Sequence, residues 1–373
     1  MQELQCLGHL PVFILIVYHF AFFWRFYRNP YFLNTSEVAS NFYPQWKWAG
    51  NHGFPMKDSI YYLFPGHIPF LSQFYPLSRL ARLFSCHFRV YAYLILFHYL
   101  LGSFLAYLML KSIYAPVICI FGAISLTYNG FNVKLQTPCF AFTSCWLMGA
   151  LIPGIPGAFC FGMAILGGYW PIIVTFSPLL VINPSALWGV ILGLPQIIPF
   201  LWYFPCSVRA KKRHDPQWGR MPWKRYFLSL TIPENGMIHY PEYSFGVGIC
   251  AFLWVFGPVF YKTLSIFGLI MASSGLFVID RIPARWVYLV SISLIMASLN
   301  APGLTNWIIP AMVIQCFLLW KWRYQYPHFP FSQWWKKEHV YSGVDWPNNT
   351  GYMNGVGHQK YFGGFSLAEN YRE

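Results

Sequence analysis

The chain has 373 residues, of which 57% are hydrophobic and only 10% charged. A soluble domain of this size carries about a quarter charged residues, so the composition argues against one. The net charge of +14 would bring nucleic acid to mind in a soluble protein, but the basic residues flank apolar runs, and membrane topology and anionic headgroups account for them instead.

Long apolar runs recur from residue 9 to residue 320, and none alternates with the period of a strand. The pattern predicts an all-α, polytopic integral membrane protein of about ten transmembrane helices. The expected segments are 9–24, 89–110, 113–128, 137–153, 157–182, 185–206, 245–261, 263–279, 286–300 and 303–320. The first lacks a basic leader and runs straight on to Phe23, so it reads as a retained helix rather than a cleaved signal. Gly167, Gly168, Pro171 and Pro178 make 157–182 either one kinked helix or two short ones. Trp24, Tyr27, Trp170, Trp202 and Trp320 sit near segment ends, as interfacial aromatics do.

Residues 25–87 form a large first loop. Within it, Pro76 opens an amphipathic stretch with Leu77, Leu80, Ala81, Leu83 and Phe84 on one side and Arg79 and Arg82 on the other. It reads as an interfacial helix. The domain plan is a transmembrane helical domain over 1–320 and a mostly irregular cytoplasmic tail over 321–373. Loop 207–226 holds seven basic residues against Asp215 alone and is expected in the cytoplasm. Ten helices then put the N-terminus in the cytoplasm and make loop 25–87 extracytoplasmic. That loop carries Arg25, Arg28, Lys47, Lys57, Arg79 and Arg82, with Arg89 just past its edge, which the positive-inside rule would place in the cytoplasm. Either the helix count is off by one or these charges bind phosphate at the outer leaflet.

The chain has only 11 acidic residues, and Glu37 and Asp58 share this loop. A carboxylate beside a membrane-surface cavity can act as a general base or hold a divalent cation. Lys57, Arg79 and Arg82 could neutralise a phosphate. The plainer reading pairs the two acids with basic residues of the same loop. His98 and Gln196 lie within apolar runs, where polar groups mark either function or helix–helix hydrogen bonds. Asn129 and Asn132 sit in the turn after the third segment, as sugar contacts or as ordinary turn residues. The nine cysteines form no CxxC pair and the histidines no metal-ligand spacing, so no metal site is indicated beyond a candidate divalent cation at the loop acids.

Several segments occur in a suggestive order: FYPQW at 42–46, GNHGFPMKDSIYYLFPGHIPF at 50–70, FHYLLGSFLAYLML at 97–110, TYNGFNVKLQTP at 127–138, GGYWPIIV at 167–174 and LGLPQII at 192–198. This order resembles the YfhO-like bacterial membrane protein family of the GT-C glycosyltransferase group. In that resemblance Glu37 stands at the first loop acid, Gly53 and Pro55 in the turn, Asp58 at the second acid, and Tyr62 with Pro65 in the Tyr-Pro segment. His98 matches the helical His, Asn129-Gly130-Phe131 the turn, and Pro195-Gln196 the later helix. The first acid is Glu rather than Asp, the Trp-Asn motif is missing, and family members are usually about twice as long.

The resemblance implies a GT-C-like transferase in the bacterial cytoplasmic membrane. It would take sugar from a polyprenyl-phosphate donor and deliver it to a cell-envelope glycan, with Asp58 favoured as base and Glu37 orienting the acceptor or the cation. Lys57, Arg79 and Arg82 would hold the donor phosphate, and His98, Asn129, Asn132 and Gln196 would contact substrate. Two other readings stay open: a transporter or flippase for a lipid-linked substrate, built around His98 and Gln196, and a non-catalytic scaffold partnering envelope-assembly proteins.

Overall fold

The computed structural model describes residues 2–33, 46, 74–85, 87–133, 138–203, 230, 246–274 and 283–322. Among these, helices dominate and no strand occurs, so the fold is all-α as expected. Glu37, Lys57, Asp58, the basic loop 207–226 and nearly all of the tail 321–373 lie outside the described residues.

Helix α1 (Gln2–Arg28) continues four residues past the expected end at residue 24 and leads into a 3-10 turn, Pro30–Leu33. The amphipathic stretch is helix α2 (Pro76–Phe84), started by Pro76, whose missing N–H costs nothing at a first-turn position. Helix α3 (Phe88–Lys111) is capped by His87, whose Nδ1 accepts from the Arg89 N–H at 3.2 Å, and it carries Lys111 in its last turn. Then come α4 (Pro116–Tyr128), α5 (Pro138–Ala150) and α6 (Ile155–Gly167).

Segment 157–182 resolves into separate pieces. Helix α6 stops at Gly168, whose φ of 81° is a left-handed cap that glycine adopts without a Cβ clash. Helix α7 (Trp170–Phe176) and a 3-10 turn, Ser177–Ile182, follow. Helix α8 (Gly189–Tyr203) comes next.

The expected span over 245–261 is not one helix. It is a short turn of helix, α9 (Cys250–Leu253), and a 3-10 turn, Trp254–Phe256, between Gly248 (φ 62°) and the Gly257-Pro258 break. Helices α10 (Val259–Ser274), α11 (Val287–Ser298) and α12 (Ile308–Trp322) complete the described chain.

Two described helices are long and apolar enough to cross a membrane: Leu10–Arg28, with 19 residues and mean hydropathy 1.6, and Phe88–Lys111, with 24 residues and mean hydropathy 1.8. The other apolar helices are shorter. Helices of 13 residues, such as α4, α5 and α6, rise about 20 Å, against roughly 30 Å of bilayer hydrocarbon.

Helix α3 is the hub, packed against α1, α4, α5 and α2. At the α1–α3–α4 junction, Phe22 meets Tyr128 at 5.0 Å between ring centroids and Phe23 meets Tyr99 at 5.1 Å. Helix α6 lies between α5 and α8. A Cβ on Gly189 would strike the Ala158 carbonyl, and one on Gly193 would come within 2.6 Å of Ile165. The small residues Ala158 and Gly162 on one helix, and Gly189 and Gly193 on the other, let the backbones approach closely.

Candidate functional site

The first loop is tied to α3 on either side of the stretch 47–73. Before it, the Trp46 indole N–H donates to the Ser78 hydroxyl at 3.0 Å, and its ring meets Tyr91 at 5.0 Å. After it, Tyr75 is fully buried at the head of α2 and stacks on Phe142 at 5.4 Å. Lys57 and Asp58 fall between these two anchors in sequence, and Glu37 falls nine residues before Trp46.

Tyr75 meets His98, the histidine expected at membrane depth. The protonation pattern follows from the partners. The Leu94 carbonyl can only accept, so His98 Nδ1 carries the proton and donates to it at 2.5 Å. In the neutral ring Nε2 then accepts, so the Tyr75 hydroxyl donates to it. The same Tyr75 oxygen accepts from the Trp146 indole N–H at 2.6 Å. Burial first, and the nearby Cys145 second, push the Tyr75 phenol well above its ordinary range, against a smaller lowering by the Trp146 hydrogen bond. It therefore stays a donor. Both ring nitrogens of His98 are thus engaged, Nδ1 within α3 and Nε2 with Tyr75 of the loop, and Tyr75 in turn is tied to α5 through Trp146.

Asn129 ends α4 and organises the turn that follows. Its Oδ1 accepts from the N–H groups of Phe131 at 3.1 Å and Asn132 at 3.0 Å, while its amide donates to the Ser125 and Leu126 carbonyls. This is the turn role of asparagine. The turn is buried rather than at the surface. The Asn132 amide also donates to the Leu126 carbonyl, and its backbone carbonyl accepts from Tyr99 at 2.8 Å. Its Oδ1 and the Thr127 hydroxyl are buried without a hydrogen bond among the described residues.

His98 and Asn132 come together on one small cavity with Tyr99, Thr127, Ser144 and Cys145. Its volume is about 10 Å³, room for a single water, whereas ligand pockets run to roughly 300–1,000 Å³. Gln196 is elsewhere, on the face of α8 that carries Gly189 and Gly193. It is fully buried, and neither its Oε1 nor its Nε2 is hydrogen-bonded among the described residues. Of the four expected substrate contacts, the structure thus joins two, places Asn129 in the adjoining turn and separates Gln196.

Arg79 and Arg82 lie on α2. The Arg79 guanidinium stands 5.5 Å from the Phe74 ring centroid, a cation–π contact. Partial burial lowers its pKa from the ordinary value. On the same short helix Leu80, Leu83 and Phe84 are 50%, 83% and 80% exposed.

Two polar residues escaped the sequence reading. His19 is buried in α1, with Nδ1 2.9 Å from the Tyr128 hydroxyl and Nε2 2.7 Å from that of Tyr27. Gln315 of α12 accepts from the Ile249 N–H at 2.8 Å and donates to Ser125 and the Val247 carbonyl. A polar residue within an apolar run was the available signal for both. Among the described residues, no three His, Cys, Asp or Glu side chains come together. The expected ligands of a divalent cation, Glu37 and Asp58, lie outside them.

Comparisons with protein-family models, with curated proteins and with solved structures return no match to this chain.

Proposed function

We propose that the chain is a polytopic membrane protein of the GT-C type, similar to the YfhO-like family, that transfers sugar from a polyprenyl-phosphate donor to a cell-envelope glycan. The observation that carries this reading is the setting of the first loop. Trp46 and Tyr75 pin it to the N-terminal half of a helix long enough to span a membrane. They do so beside an amphipathic helix that presents two arginines and three exposed apolar side chains. A phosphate on a lipid tail meets cations and an apolar edge at such a place.

In this reading the Asp58 carboxylate takes the proton from an acceptor hydroxyl. The hydroxyl oxygen bonds to the sugar's anomeric carbon as the bond from that carbon to the phosphate oxygen breaks. The electron pair leaves with the polyprenyl phosphate, whose charge Lys57, Arg79 and Arg82 balance. Glu37 orients the acceptor.

The test is sugar transfer from a labelled polyprenyl-phosphate sugar by membranes holding the full chain. Asp58→Asn is expected to lower transfer by at least about 10²-fold, the usual worth of a positioned base, with insertion into the membrane intact. Unchanged transfer would remove Asp58 from the mechanism.

The buried amide of Gln196, without a hydrogen bond among the described residues, favours a second reading, a transporter or flippase for a lipid-linked substrate. That reading requires a cavity far larger than the 10 Å³ beside His98.

A further inference from the structure

Five arginines gather at one end of the bundle. Arg25 and Arg28 occupy the last turn of α1, Arg79 and Arg82 lie on α2, and Arg89 opens α3. The three helices meet there: Tyr27 stacks on Tyr93 at 6.1 Å, and α2 is seated on α3 with Trp46 bridging Ser78 and Tyr91. All five guanidinium-bearing residues are exposed or half-exposed. The sequence from 25 to 89 holds seven basic residues against Glu37 and Asp58 alone, so a surplus of positive charge remains even with both acids paired. Among the described residues the one acidic residue is Glu3, near the opposite end of α1.

Resting on the membrane reading above, we propose that this end is a docking surface for anionic phospholipid headgroups of the adjoining leaflet. Arg25, Arg28 and Arg89 contact the headgroup phosphates, and Leu80, Leu83 and Phe84 enter the acyl boundary. Charge complementarity selects the occupant. The phosphates of a zwitterionic leaflet are already balanced by their own cationic headgroups, whereas each basic residue near an anionic surface gains about fivefold in affinity. The apolar edge alone spans one short helix and binds weakly without that attraction. Seated in this way, α2 holds Arg79 and Arg82 at headgroup depth, where a lipid-linked phosphate passes. Leaflet charge then sets how firmly the loop is held.

The experiment is hydrogen–deuterium exchange of the full chain in nanodiscs of phosphatidylcholine alone and of phosphatidylcholine with phosphatidylglycerol, read at the amides of residues 77–84. Exchange there is expected to slow in the anionic discs by roughly fivefold for each arginine engaged. High salt should erase the difference, as should the triple variant Arg25→Gln, Arg28→Gln, Arg89→Gln. Equal exchange in both discs would overturn the proposal. So would protection produced in neutral discs by added polyprenyl phosphate with none from phosphatidylglycerol, since that assigns the arginines to the donor. The amides of α1 and α3 serve as a separate control. Rapid exchange along both in every disc would overturn the membrane reading itself, independently of leaflet charge.

Discussion

One phenolic oxygen, that of Tyr75, serves two buried partners: it donates to His98 and accepts from the Trp146 indole. Tyr75→Phe leaves both without their bond, at a cost of roughly 1–3 kcal/mol for each buried group stranded. Thermal denaturation in detergent should show the loss, and an unchanged midpoint would mean that the loop is held by other contacts. Gln196 poses the opposite case. Among the described residues its amide has no hydrogen-bond partner, so Gln196→Leu should leave the midpoint unchanged or raise it, because an apolar side chain removes an unmet hydrogen-bonding group. A loss of function with stability retained would instead favour the transport reading. Sequence alone located His98 within its helix. It could not supply Tyr75, which lies 23 positions away across a helix boundary, nor show that the histidine's two nitrogens are spent on structure. Asn129 was legible as a turn residue because its bonds are local, to residues within four positions. Glu37 and Asp58 stand out by the scarcity of acids and by motif order, and Lys57 by its charge beside them.

Packing between α6 and α8 turns on close backbone approach at Ala158, Gly162, Gly189 and Gly193. The spacing of four in each pair is visible in the sequence, but only the contact shows that the two patterns face each other. Gly189→Leu would drive its side chain into the Ala158 carbonyl, and overpacking of this kind costs about 1–3 kcal/mol. A lowered melting midpoint in detergent checks it, with Gly154→Leu a poor control because its φ is 77°; Ile191→Leu, on the exposed side of α8, is the sound one. Apolar runs marked most described helices to within a few residues because most are hydrophobic stretches bounded by Pro, Gly, Asn or a basic residue. They failed at 245–261, where hydropathy stays high through the Gly248 and Gly257-Pro258 breaks. There Gln315 fixes the chain: its Oε1 accepts from Ile249, and its amide donates to Val247 and Ser125. Hydropathy carries no information about such a crosslink between distant residues.

The whole chain combines a bundle organised on α3 with a basic, aromatic first loop anchored at one end. Two helices of spanning length are in the structure, and the multi-pass reading adds the shorter apolar ones. That reading makes a sharp claim. In the proposed ten-helix topology five segments separate loop 25–87 from loop 207–226, which would put the two loops on opposite faces of the membrane, the first outside with the proposed site and the second in the cytoplasm. The direct measurement is labelling in intact cells with a membrane-impermeant maleimide, on a chain whose nine native cysteines are replaced and which carries either Ser59→Cys or Ser207→Cys. The account predicts that position 59 labels in intact cells and position 207 only after permeabilisation. Labelling of both from one face, or only of 207 from outside, would contradict it.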